Sequence, residues 1–205
     1  MTSSRVNPND QNDKGLFLLI HLIQSKIKLS SKERAIRIHL ERGADVNKQD
    51  HQKRTPLIFA CQEQPELVKI LIENGAQIDL RCQEGMTPLM HLLNTWILIP
   101  WMLYPSSFSK EKSKTIVETI TLLLSHGADP TEKIFNGKTF LEMLSKRYFT
   151  RETITLLIYP VLCNFATFGF SVPNFLFLSE EQNDYLACLY HDTALRQSLH
   201  RPVHG

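Results

Sequence analysis

Apolar residues recur at helical spacing along much of this chain. Leu67, Val68, Leu71 and Ile72 fall at i, i+1, i+4 and i+5, which marks one face of a helix. Amphipathic runs over 34–42, 66–74 and 116–126 predict three such helices, and each is followed by a glycine: Gly43, Gly75 and Gly127. A glycine just past a helix end suits a left-handed C-terminal cap. Other helices should open at Thr55-Pro56-Leu57 and Thr87-Pro88-Leu89. The threonine caps, and the proline sits at the first helical position, where its missing N–H costs nothing. Ser30-x-x-Glu33 and Ser179-x-x-Gln182 read as capping boxes, the first opening the second helix of the first unit.

These phrases repeat. Gly43-Ala44-Asp45-Val46-Asn47 returns as Gly75-Ala76-Gln77-Ile78-Asp79 and as Gly127-Ala128-Asp129-Pro130-Thr131. The Thr-Pro-Leu phrase has a weakened third copy at Thr139-Phe140-Leu141. Both phrases give the same spacings, 32 and then 52 residues, so the third unit carries an insertion of 20 residues. On these residues the chain resembles the ankyrin-repeat family, whose units run about 33 residues and carry a Thr-Pro-Leu-His phrase. The resemblance implies an all-α solenoid of stacked helix-turn-helix units over residues 12–159, with units at 12–49, 50–81, 82–133 and 134–159. Neither helix of a unit can bury itself alone, so stacking is obligatory. The family's histidine is replaced by Ile20, Ile58, Met90 and Glu142. Its hydrogen-bond network should therefore be absent and the array less regular. His21 and His91 follow one residue later, a whole repeat apart, which favours ordinary packing over a shared metal.

The ends depart from the repeat. Residues 1–11 are polar and are expected to be a disordered tail. Beyond Tyr159 the chain becomes rich in phenylalanine, and Tyr185, Leu186, Leu189 and Tyr190 return to helical spacing. Residues 160–205 thus read as a helical extension, either a cap on the open end of the stack or a small docking box. The insertion, about 94–113, holds Trp96, Trp101, Tyr104 and Phe108. It either extends the third unit's first helix into a packed position or presents aromatic recognition residues.

Composition narrows the chemistry. The chain has 205 residues, 42% hydrophobic and 21% charged, with a net charge of +2. That balance argues against nucleic acid or an anionic membrane as the main partner. The most apolar stretch, 86–104, is broken by His91, Asn94, Thr95 and Pro100, short of a membrane span. Cys61, Cys82, Cys163 and Cys188 form no CxxC pair and read as reduced, mostly buried thiols of a reducing, cytoplasmic compartment. No phosphate loop, HExxH, GxSxG or paired-cysteine zinc pattern occurs. A Cys–His nucleophile pairing Cys163 or Cys188 with His191 is formally available, but the 46 residues outside the repeats are too few to shape a cleft. No cofactor, metal or catalytic residue is expected. Asp45, Asp79 and Asp129 stand at the turns, where local backbone hydrogen bonds explain them.

What the family resemblance implies is a protein-binding module that is not an enzyme. The turn tips at 48–53, 81–84 and 132–136 would supply Lys48, Gln49, His51, Arg81, Glu84, Lys133 and Phe135 to a concave surface. Trp96, Trp101 and Tyr104 are the candidates in the insertion. Two alternatives stay open: an adaptor or secreted bacterial effector acting in host cytoplasm, with 160–205 docking a second partner, and a small enzyme. A monomer is favoured.

Overall fold

The computed structural model describes residues 7, 9–10, 17–98, 109–133, 137–144, 154–173, 178–185, 187–188 and 191. The chain divides into two compact bodies, residues 1–92 and 93–205.

In the first body the helices come in pairs. α1 (Leu18–Gln24) packs on α2 (Leu29–Glu41), and α3 (Pro56–Glu63) packs on α4 (Val68–Glu73), which a 3-10 turn at Pro65–Leu67 introduces. α1 also packs on α3, so consecutive units stack through their first helices. α5 (Pro88–Leu93) opens the third unit. Leu67, Val68 and Leu71 of the face foreseen in the sequence are fully buried and Ile72 is half-buried, and Ile20, Ile23, Ile36, Leu57 and Ile58 are fully buried in the same body. Burying a side chain of that size contributes about 1.5–3 kcal/mol each.

Capping follows the sequence in most places. Thr55 Oγ1 accepts from the Ile58 N–H at 3.2 Å with Pro56 at the first position, and Thr87 Oγ1 accepts more loosely from Met90 at 3.4 Å. Two substitutes for the family histidine recover part of its role. Glu142 Oε2 accepts from the Thr139 N–H at 2.8 Å, closing a capping box, and Met90 Sδ accepts from the Thr87 N–H at 3.3 Å. Ser179 and Gln182 form the expected reciprocal pair. Ser30 does not cap: α2 already begins at Leu29, with Lys28 at the cap position and no side-chain bond. A buried lysine accounts for the tight turn before it. Lys32 Nζ donates to the Ile23 carbonyl at 2.7 Å, tying the end of α1 to α2. Burial lowers its pKa, and Glu63 and Glu66 partly offset the effect.

One helix-ending motif recurs four times. After α2 and α4, Gly43 and Gly75 take φ of +89 and +85, and the next residue's N–H reaches the carbonyl five residues back. In the second body α6 (Lys110–Ser125) ends the same way at Gly127. The fourth case is Gly169, at φ +83, with the Phe170 N–H on the Phe165 carbonyl at 2.9 Å. It closes α8 (Tyr159–Thr167), which follows a π-helical turn at Ile154–Ile158. The expected boundary at 159 therefore falls inside a run of helix. α8 packs on α6, and Asn164 Nδ2 donates to Thr121 Oγ1 at 2.6 Å. Gly169 lies ten residues beyond the expected boundary at 159. Phe165 meets Phe140 of α7 (Phe140–Leu144) edge-on at 6.0 Å in the core of this body.

An asparagine ladder ties the turns of the first body. Asn47 Nδ2 donates to the Gly75 carbonyl while its Oδ1 accepts from the Gln77 N–H at 2.8 Å. Asn9 makes the same two bonds to Gly43 and Asp45, at 3.1 and 2.8 Å. Asn7 accepts from the Asn9 N–H as Asp45 does from Asn47 and Asp129 does from Thr131. The repeat phrase thus has a further copy at Asn7-x-Asn9, unread in the sequence because the polar composition of 1–11 concealed it.

Candidate protein-binding surface

The second unit's turn is organised by Asp50, which is buried. Its Oδ1 accepts from the N–H groups of Gln52 and Arg54 at 2.9 and 2.8 Å, and its Oδ2 takes the Arg54 side chain at 2.8–2.9 Å. Its own N–H donates to the Arg54 carbonyl, and the Lys53 N–H returns to the Asp50 carbonyl at 2.9 Å. Lys53 pays for this closure with φ +58, a left-handed conformation costing about 1–2 kcal/mol for a residue with a Cβ. Gln49 Nε2 donates to the Lys53 carbonyl. The Arg54 guanidinium then lies 4.4 Å from the centroid of the buried Phe59 ring, a cation–π contact.

The third unit's turn repeats the backbone but not the chemistry. The Cys82 N–H donates to Met86 and the Gly85 N–H to Cys82, at 3.1 and 2.9 Å. Gly85 takes φ +77, and Arg81 Nη1 donates to its carbonyl. The two turns are linked directly, the Gln83 N–H donating to the Gln52 carbonyl at 2.8 Å.

Beside this link opens a cavity of about 350 Å³, lined by Gln52, Arg54, Gln62, Cys82, Gln83, Glu84 and His91. His91 is buried between two partners: Gln62 Nε2 stands 2.9 Å from its Nδ1 and Cys82 Sγ 3.4 Å from its Nε2. Burial, reinforced by the nearby Arg54, lowers its pKa to about 4, so the ring is neutral at physiological pH. The pair stands within hydrogen-bonding distance and forms part of the cavity wall. Burial pushes the Cys61 thiol up. Cys163 is half-buried and Cys188 exposed, so only Cys61 and Cys82 match the expected buried thiols. Among the described residues no group of three or more His, Cys, Asp or Glu is placed to hold a metal ion.

The residues expected to bind divide between the bodies. Lys48, His51, Arg81 and Glu84 are exposed on the two linked turns, and Gln49 is half-buried beneath the first. Lys48 Nζ lies 5.4 Å from the Phe17 ring centroid. Lys133 is exposed in the second body, where it pairs with Thr139 in an isolated antiparallel bridge. Trp96, in a π-helical turn at Asn94–Leu98, is half-buried with Lys112 Nζ 4.1 Å above its ring. Trp101, Tyr104 and Phe135 lie outside the described residues. Sequence reasoning missed Arg54, Gln62, Gln83 and the Cys82–His91 pair. The one available signal was that Cys82 and Asp50 occupy the same repeat position, 32 residues apart.

Comparison with known proteins agrees with this architecture. Residues 22–95 match the family model described as ankyrin repeats in three copies, from the end of α1 to the residues just past α5. Over 125 residues the chain is 28% identical to BCL-6 corepressor-like protein 1 of Homo sapiens, an alignment that covers 60% of this chain and 6% of that protein. The chain therefore matches only a small part of that relative's length. No helix among the described residues is long and apolar enough to cross a membrane. Residues 22–95 of this chain thus match ankyrin repeats within an all-α fold.

Proposed function

We propose that this protein is a protein–protein interaction module whose binding surface is the pair of linked turns at 48–54 and 81–86. Ankyrin repeats generally mediate protein interaction, and the match to that family supplies the class of function. The observation that carries the site is the direct bond between the turns beside a cavity of about 350 Å³. The two hydrogen-bonded turns carry the exposed side chains of Lys48, His51, Arg81 and Glu84, and Glu84 also lines the cavity. A surface whose backbone is fixed before binding loses little conformational entropy on association, which favours affinity. Trp96 is the weaker candidate, because Lys112 already occupies one face of its ring.

The test is affinity capture from a eukaryotic lysate with the full chain, comparing wild type with the triple variant His51→Ala/Arg81→Ala/Glu84→Ala and with Trp96→Ala. Loss of a specific partner in the triple variant, with helical circular dichroism unchanged, supports the turn surface. Retention there and loss in Trp96→Ala moves the site to the insertion. In the adaptor reading, residues near the C-terminus dock a second protein. Deleting 179–205 examines that reading while leaving α8 and the buried Leu178 in place.

A further inference from the structure

Among the described residues Lys53 is the only non-glycine with positive φ. The same position is Gly85 in the next turn, at +77, and Gly137 in the fourth unit, at +70. Glycine is the unstrained choice there, and the Gly85 turn closes with the matching backbone bonds. Backbone strain of this kind persists where the surroundings over-determine it, and it concentrates at functional sites. Here the surroundings are the Asp50 carboxylate, which fixes the N–H groups on either side of Lys53, and the Gln49 amide on its carbonyl. What lysine adds over glycine is an exposed ammonium on the tip of the turn.

That ammonium joins a cationic neighbourhood. Lys48 is exposed on the same tip, Arg81 on the next, and Arg54 is partly exposed at the cavity. Asp50, the acid of this tip, is turned inward and neutralises Arg54, which leaves Lys48 and Lys53 as the outward charges of the tip. Glu84 is the acidic exception, on the neighbouring turn. Beside the cations, Gln52, Gln62 and Gln83 line the cavity with side-chain amides, neutral donors suited to carboxylate and peptide oxygens.

We infer that the tip formed by Lys48, Lys53 and Arg81 is the anchor for an acidic segment of the protein partner, Lys53 being kept in a left-handed turn for its charge. This rests on the turn-surface reading above and names the chemistry that surface selects. A protein is favoured over nucleic acid because the aromatic rings of Phe17 and Phe59 beside the tip are buried, so neither offers a platform on which a base could stack.

The experiment uses the full chain and three fluorescein-labelled probes: a short poly-glutamate peptide, a poly-glutamine peptide of equal length, and an oligothymidylate of equal charge. Fluorescence anisotropy at low salt should show the poly-glutamate peptide bound most tightly. Lys53→Gln, which removes charge but keeps the strain, and Lys53→Gly, which removes both, should each weaken it about three- to tenfold. Lys69→Gln, a charge-matched control on α4, should leave it unchanged. Lys53→Gly should also raise the urea midpoint, and Lys53→Gln should not. Equal binding of the poly-glutamine peptide, tighter binding of the oligothymidylate, or equal weakening by Lys69→Gln would overturn the proposal. Lysate capture separates the two readings. A partner lost in the His51/Arg81/Glu84 triple variant but indifferent to Lys53→Gln sinks the acidic anchor and leaves the turn surface standing. A partner indifferent to both sinks both.

Discussion

The turns at 50–54 and 82–86 have one backbone and two chemistries. Each brings the first residue's N–H onto the fifth residue's carbonyl and the fourth residue's N–H onto the first residue's carbonyl. In the earlier turn a buried carboxylate accepts two further N–H groups and an arginine, and the fourth residue is a strained lysine. In the later turn Cys82 replaces the acid, Gly85 replaces the lysine, and the first side chain faces His91 instead. Backbone bonding alone is therefore enough to form the turn. The charged version adds polar bonds and accepts strain to place cations outward, whereas the glycine version relaxes the backbone and presents less.

That comparison can be broken in order of expected effect. Asp50→Ala should cost about 4 kcal/mol in urea unfolding, because it removes charge-assisted bonds and leaves Arg54 without its carboxylate. Cys82→Ala should cost no more than about 1 kcal/mol, since a thiol hydrogen bond is weak. Equal losses would mean that the two turns are held by the same forces after all.

The second effect is pH-dependent and belongs to the cysteine turn. Folding holds His91 neutral, with a pKa of about 4 against an ordinary 6.5. Because the folded state resists the proton and the unfolded chain accepts it, this stability is complete above pH 6.5 and is lost as pH falls toward 4. The full loss is about 3 kcal/mol, since each tenfold change in proton affinity is worth roughly 1.4 kcal/mol. Chemical denaturation between pH 7 and pH 4.5 should show this slope in wild type and a flatter one in His91→Gln. An unchanged slope would place the acid sensitivity elsewhere.

The smallest effects test the strained position from both sides. Lys53→Gly should raise stability by about 1 kcal/mol, and Gly85→Ala should lower it by about the same amount. A Cβ on Gly85 would meet nothing within 4 Å, so the loss there reports strain rather than a clash. If Lys53→Gly is neutral, the greater backbone freedom that glycine brings to the unfolded chain has cancelled the relief of strain, and Lys53 then carries no energetic cost that its charge must justify.

Much of the first body was legible residue by residue. Thr55-Pro56 marked a helix start because its signal is local: a side-chain oxygen three residues from the N–H that it caps, beside a ring with no N–H to lose. Gly43 and Gly75, and Gly127 in the second body, marked helix ends for an equally local reason. Where local signals conflicted, the sequence misled. Ser30-x-x-Glu33 has a capping pattern, but the buried ammonium of Lys32 on the Ile23 carbonyl lets α2 begin earlier. At 159 the expected boundary falls within continuous helix, where Phe165 and Asn164 hold α8 against neighbours far along the chain.

The sequence by itself determined the repeat, its period, the all-α class and the turn tips as the polar edge, because each rests on contacts within a few residues. Only the tertiary structure decided that Asn9 belongs to the ladder, that Gln83 bonds Gln52, and that His91 stands between Gln62 and Cys82. The contacts of Asn9, Gln83 and Gln62 span 29 to 36 residues, and stacking one unit on the next brings them within hydrogen-bonding distance, whereas Cys82 and His91 meet within one unit.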